Sequence, residues 1–220
     1  MVAVIGNKFY KITKNPASGE LQAFPRGTLD TFDGDVYIAE NNNAQICVTD
    51  GTYIYVYNWN TDGPIAKIPN GTGAGNYDYT TYSNPGYISF QNGRFLLACQ
   101  NTNYWILSGI NNALKWPTGA SDPELVGSIQ TKPTKIQAAI PVPGGGNNLL
   151  VMGTNVTESW QDVGAALFPY QKGSTYNVDY GCLNASSVAE LDNLIVWLAV
   201  NEQSGPVIMY ATGSQTKMIS

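Results

Sequence analysis

Apolar residues in this chain come in short bursts, alternating with polar ones or running unbroken for four to six positions, and turn-forming residues separate the bursts. The clearest stretch is 187–212. Positions 187–191 alternate, Asp192-Asn193 forms a turn pair, and 194–199 is almost continuously apolar. Residues 201–205 turn the chain again and 206–210 follow as another strand. This predicts an antiparallel meander whose middle strand is buried on both faces, with Trp197 inside. Asp50-Gly51 and Asn92-Gly93 sit between similar bursts and read as hairpin turns.

The unit recurs. Turn residues fall at Asn7, Asp50, Asn92, Asn147 and Asp192, separated by 43, 42, 55 and 45 residues. An apolar strand follows each: 9–12, 53–56, 95–98, 149–152 and 194–197. Several strands per period of about 40–50 residues mark propeller blades. The expected fold is all-β and β-propeller-like, with four to five antiparallel meander blades in one domain over 1–220. Both ends fall inside a repeat. The chain is therefore expected either to be a fragment of a longer subunit, within a larger propeller, or to close its ring with strands from both termini.

Composition narrows the chemistry. Lys and Arg total 11 against 16 Asp and Glu, a net charge of −5, so no basic footprint for nucleic acid or anionic membrane is present. No apolar run approaches the roughly 20 residues of a membrane-crossing helix. The first residues lack the basic start and apolar stretch of a signal peptide, and a soluble chain made in a cytosol is expected. Cys47, Cys99 and Cys182 are odd in number and far apart, as expected of buried strand thiols rather than a disulfide framework.

The chain contains no His, which removes Ser-His-Asp and Cys-His catalysis. Paired carboxylates remain conceivable for glycan cleavage, with Asp33, Asp35, Glu40, Asp179 and Glu190 as candidates. The expected reading is that they occupy turns and solvated faces. Residues 30–35 faintly resemble a calcium loop but lack its alternating oxygen ligands and terminal Glu. Residues 144–146 are a Gly turn without the Lys of a phosphate loop. No catalytic residue, metal or cofactor is expected. Tyr77, Tyr79 and Tyr82, in the Gly-rich segment 70–85, are the candidate partner contacts, set against the alternative that they fold onto their own blade. Trp59, Trp105 and Trp116 are candidate sugar platforms for a carbohydrate- or receptor-binding alternative.

From 44 to 213 the order of segments resembles the packaged-DNA stabilisation proteins, the tail hub or nozzle subunits of short-tailed bacteriophages. The resemblance is carried by ICVTDGTYIYVYN, GYISFQNGRFLLACQNTNYWILSG, NNLLVMGTNVTESWQDVG, and GCLNASSVAELDNLIVWLAV followed by PVIMYATG. In the family, an apolar strand, a Gly, a polar stretch, then Glu and an aromatic make up the third segment, matched here by residues 153–160. A Gly-Cys-like step matches Gly181-Cys182. Residues 1–43 match little, and the relatives are longer on both sides. The resemblance implies a virion tail protein assembled in the host bacterial cytoplasm. It implies a hexameric ring below the portal and adaptor that retains packaged DNA and seats a needle or fibres. DNA would pass without specific binding.

Overall fold

The computed structural model describes residues 1–118, 122–173, 177–213 and 215–219. The chain forms five antiparallel sheets in sequence order. The first contains β1 (Val2–Ile5), β2 (Lys8–Lys14) and β3 (Leu21–Thr28). The second contains β4 (Tyr37–Glu40), β5 (Gln45–Thr49), β6 (Ile54–Asn58) and β7 (Ala66–Lys67). The third contains β8 (Pro85–Gln91), β9 (Arg94–Cys99), β10 (Tyr104–Leu107) and β11 (Val126–Ser128). The fourth contains β12 (Ile136–Pro141), β13 (Asn148–Gly153), β14 (Thr157–Asp162) and β15 (Tyr170–Lys172). In the fifth, β16 (Gly181–Cys182) and β17 (Ala189–Leu191) share the edge of β18 (Leu194–Val200), followed by β19 (Val207–Ala211) and β20 (Thr216–Met218).

Four buried interfaces stack these sheets as propeller blades. Phe9 and Leu29 meet Val48, Tyr55 and Tyr57 between blades one and two. Ile54, Ile68 and Tyr77 meet Phe95, Leu97 and Ile106 between two and three. Leu96, Trp105 and Leu107 meet Leu149, Val151 and Trp160 between three and four. Ile140, Leu150 and Met152 meet Ile195, Trp197 and Met209 between four and five. Alternate residues of one strand thus enter different interfaces: Leu149 and Val151 point one way, Leu150 and Met152 the other. That is why the middle strands read as continuous apolar runs.

The first strands of blades two to five begin at Tyr37, Pro85, Ile136 and Gly181, 48, 51 and 45 residues apart. The five turns used to find the repeat are not all equivalent. Asp50 joins the second and third strands of its blade, whereas Asn92 joins the first and second. Asn92 (φ 48°) and Gly93 (φ 83°) both take left-handed backbone, as the tight hairpin requires. At Asp50 the carboxylate accepts the amides of Thr52 and Tyr53 instead, giving a longer side-chain-held turn.

Blade five departs from expectation on one face. Trp197 is 1% exposed and Ile195 and Ala199 are buried. Leu194, Val196, Leu198 and Val200 point the other way and are only half-buried. The middle strand is apolar on both faces but sealed on one.

Blade one is tethered by charge as well as by its apolar face. Asp62 accepts both Nε and Nη2 of Arg26 (2.7 and 2.8 Å), the Tyr57 hydroxyl and Lys11 Nζ (3.2 Å). These donors, Arg26 first, hold the Asp62 carboxyl well below the usual carboxylate range. Its contribution to stability is therefore present above the unfolded-state pKa of about 4 and is lost as pH falls through the depressed folded value. On acid titration the β1–β3 amide resonances of wild type that report Asp62 should hold through pH of about 4 and shift only well below it, as the carboxyl takes up its proton. Asp62→Asn should show shifted β1–β3 resonances already at neutral pH; identical spectra would show that the apolar contacts alone hold the blade.

Candidate functional site

Two cavities are lined by residues at or next to the first strands of blades two to five, β4, β8, β12 and β16/β17. One, of about 200 Å³, is polar and lined by Asp35, Tyr37, Gln100, Lys135, Gln137 and Asn184, among others. The other, of about 430 Å³, is lined by Ile38, Tyr87, Phe90, Ile140, Val142 and Glu190, among others. Tyr37 lines the first and Tyr87 the second, and their rings are 5.1 Å apart. The ring pair thus stands between the two cavities.

A second contact lies beside it. The inner strand of blade five is interrupted by a 3-10 turn at Ala185–Ser187, capped by Asn184, whose side chain accepts the Ser186 amide. The Ser186 hydroxyl donates to Asp35 (2.5 Å) and lies 3.0 Å from the Tyr37 hydroxyl. Blades two and five are therefore linked directly, although their residues lie some 150 positions apart in sequence. The phenol of Tyr37 is pushed up, chiefly by burial.

Cys182 follows Gly181 at the start of β16. A Cβ on Gly181 would lie 2.3 Å from the Asn155 amide nitrogen and from the Thr154 carbonyl carbon, and 2.4 Å from the Gly153 carbonyl oxygen. All three are backbone atoms of the β13–β14 connection and cannot swing aside. Gly181→Ala should therefore cost about 1–3 kcal/mol in a denaturant melt; a melt unchanged from wild type would mean that the two segments separate freely.

The candidate carboxylates do not converge. Asp33 and Glu40 are exposed, Asp179 is paired with Lys132 (3.0 Å), Asp35 lines the smaller cavity and Glu190 the larger one. No described cavity holds two of them. Among the described residues no group of three or more His, Cys, Asp or Glu could hold a metal ion. In the calcium-like stretch, Asp30 is engaged by Lys67. The three cysteines are free and buried, and burial pushes their thiols up, to about 12 for Cys99 and about 11 for Cys182.

The aromatic candidates are packing residues. Tyr77 is fully buried and its hydroxyl donates to the Tyr82 carbonyl (2.8 Å). Tyr82 is also buried, and the Tyr79 hydroxyl donates to the Ile68 carbonyl (3.1 Å) and accepts the Ile54 amide (3.0 Å). Exposed contact anchors are not what these rings form here, because the Tyr77 and Tyr79 phenols find their partners inside the blade two–three interface and Tyr82 is buried there. Trp105 and Trp116 are buried as well, and Lys11 covers Trp59 at 4.3 Å, so none of the three is an open sugar platform.

Sequence reasoning gave Glu158 no role. Its side chain is fully buried at the blade three–four junction. It accepts the amides of Gln130 (2.8 Å) and Thr131 (2.6 Å), the Thr131 hydroxyl, Lys172 Nζ (2.9 Å) and Trp160 Nε1 (2.9 Å). Burial pushes its carboxyl up, but these donors outweigh it and hold the carboxyl below its usual value. The signal was a Glu followed by an aromatic inside a strand otherwise buried.

Five antiparallel meander sheets stacked through four buried interfaces define a β-propeller fold. The sequence model of a family described as "Bacteriophage P22 Gp10, beta-propeller" matches residues 1–220. The chain belongs to this phage stabilisation family, whose members are virion structural proteins of the tail. No curated protein matches it significantly in sequence. Among solved structures, PorZ of Porphyromonas gingivalis aligns over 100% of this chain and 26% of its own, with 14% identity and a TM-score of 0.56. A Lactobacillus plantarum protein aligns over 96% and 62% at 10% identity and 0.52. A streptogramin B lyase aligns over 97% and 73% at 13% identity and 0.53. These likenesses concern the fold. The chain spans about a quarter of PorZ and under two thirds of the Lactobacillus protein.

Proposed function

We propose that this chain is the propeller of a tail hub or nozzle subunit, which assembles as a hexameric ring beneath the portal and adaptor and retains packaged DNA. The family match over the whole chain carries this reading. The needle or tail fibres would be seated on the same ring, and the blades would act as rigid scaffold rather than as an enzyme.

The cavities add a constraint. Between the first strands of blades two to five, with the Tyr37–Tyr87 ring pair and the Ser186–Asp35 hydrogen bond, the cavities of about 200 and 430 Å³ are too small to pass a duplex. The DNA channel of such a ring runs between subunits instead, and its wall is the outer surface of the propellers. That surface belongs to a chain with net charge −5. Phosphate binding depends on Lys and Arg displacing counterions, so the wall lets DNA slide rather than stick.

Two measurements test this. Light scattering of the subunit, alone and with its adaptor, should detect a ring. A salt titration should find no duplex binding at physiological ionic strength. A strict monomer under both conditions, or tight salt-sensitive binding, would defeat the proposal. Reproducible glycan or ester cleavage would separately defeat the scaffold reading.

A further inference from the structure

The first strands of blades three to five are irregular where the smaller cavity lies. β8 shifts register against β9 between Pro85 and Ile88. β12 shifts against β13 between Ile136 and Ala138, which leaves Gln137 as the bulged residue. Bulges of this kind re-aim a side chain and recur beside binding sites. In blade five β16 stops at Cys182 and gives way to the 3-10 turn that Asn184 caps. Gln100, Gln137 and Asn184 all line the cavity, together with Asp35 and Tyr37 from the start of blade two. Gly86, inside the β8 shift, makes room for Gln100: a Cβ there would lie 2.5 Å from Cγ and 2.6 Å from Nε2 of that side chain.

The polar groups gathered here are largely unspent. Among the described residues no hydrogen bond engages the carboxamide of Gln100 or Gln137. Asn184 spends Oδ1 on the Ser186 amide and keeps its Nδ2 protons. Asp35 spends Oδ2 on Ser186 and Tyr37 and keeps Oδ1. Lys135 lies 3.5 Å from the Asn101 carboxamide oxygen and takes part in none of the ion pairs among the described residues.

We propose that this cavity binds a single sugar ring, a neutral polyol. A carboxamide offers a donor and an acceptor in one plane, and two neighbouring hydroxyls answer it with an acceptor and a donor. Lys135 and Asp35 bring one charge of each sign, so the wall favours neither an anion nor a cation. An apolar occupant would strip water from these groups and return no hydrogen bond. The volume of about 200 Å³ equals that of about six or seven waters, at about 30 Å³ each, and accommodates one ring rather than a chain of them. Asp35 is the sole carboxylate among the lining residues, so the site binds its ligand without the paired acids that cleavage needs. The proposal rests on the cavity and not on the hub reading.

The test is an NMR titration of the whole chain with the methyl α-pyranosides of glucose, galactose and mannose, with cyclohexanol and glycine as controls. At least one glycoside should saturably shift the side-chain amide resonances of Gln100, Gln137 and Asn184, with a Kd of about 1 mM for a ligand of about a dozen non-hydrogen atoms. Cyclohexanol, with a single hydroxyl, and glycine, a zwitterion, should not. Gln137→Leu should weaken the bound glycoside by about tenfold, the value of a lost hydrogen bond at a closed site. It removes no hydrogen bond from the protein itself, so it should melt like wild type. Gly86→Ala leaves every lining residue in place but drives the Gln100 carboxamide aside, and should weaken binding by a similar factor. No saturation by any of the three glycosides up to about 100 mM, equal shifts with cyclohexanol or glycine, or an unchanged affinity in both variants would overturn the proposal.

Discussion

Replacing Glu158 by alanine is expected to destabilise the protein by about 3–5 kcal/mol, the cost of breaking a buried, hydrogen-bonded charge pair. Five donors lose their acceptor at once: two backbone amides, a hydroxyl, an ammonium and an indole. Gln130 and Thr131 belong to the connection between blades three and four, so the carboxylate fastens that connection to β14 and, through Lys172, to β15. Glu158→Gln keeps an acceptor but loses the charge and should fall between the two. The pH dependence follows from the lowered carboxyl pKa. The stabilisation is complete above the unfolded value of about 4.3 and is lost as pH falls through the lower folded value. The gap between wild type and Glu158→Gln in denaturant melts should therefore narrow on acidification. A Glu158→Ala change below about 1 kcal/mol would mean that water replaces the carboxylate.

The repeat was legible because its cause is local. A strand stacked between two neighbours needs apolar residues on both faces, and 95–98 and 149–152 satisfy that without reference to anything distant. The phase of the repeat was not legible. Asp50-Gly51 and Asn92-Gly93 look alike as dipeptides but join different strand pairs, and the difference lies in which amides the Asp50 carboxylate accepts. Nor did β18 reveal that half its apolar set faces outward, since periodicity reports polarity and not occupancy of the neighbouring space.

Sites were harder to read than strands. Tyr77, Tyr79 and Tyr82 lie in a Gly-rich stretch without alternation, which reads as a surface loop. Their burial depends on backbone carbonyls at Tyr82 and Ile68 that only the fold brings within reach. The link between Ser186 and Asp35 joins two unremarkable polar residues of blades five and two, and no local pattern encodes it. Glu158 and Trp160 stood in a segment shared with the family, yet their role rests on Gln130, Thr131 and Lys172, which come from outside that segment.

Trp105 is expected to be the costliest aromatic to truncate, at about 3–5 kcal/mol for Trp105→Ala. Its ring is fully buried, with centroids of Trp160, Phe168 and Tyr170 at 5.5, 5.4 and 5.2 Å in mostly edge-to-face contact. It also rests on β11, where a Cβ at Gly127 would come within 2.5 Å of the indole, so the strand opposite is a glycine by necessity of space. Truncation leaves a cavity walled by three aromatic rings held by blade four, which cannot collapse without breaking the stack. Trp105→Phe should behave differently. The indole Nε1 is buried without a hydrogen-bond partner, so its removal relieves an unpaired donor and offsets part of the lost contact. A net cost of about 1 kcal/mol is expected for this variant, with the near-ultraviolet circular dichroism of the remaining cluster retained. Denaturant melts of the two variants side by side decide the point. If phenylalanine proves as damaging as alanine, the indole nitrogen is satisfied and the packing argument gives way to a hydrogen-bonding one.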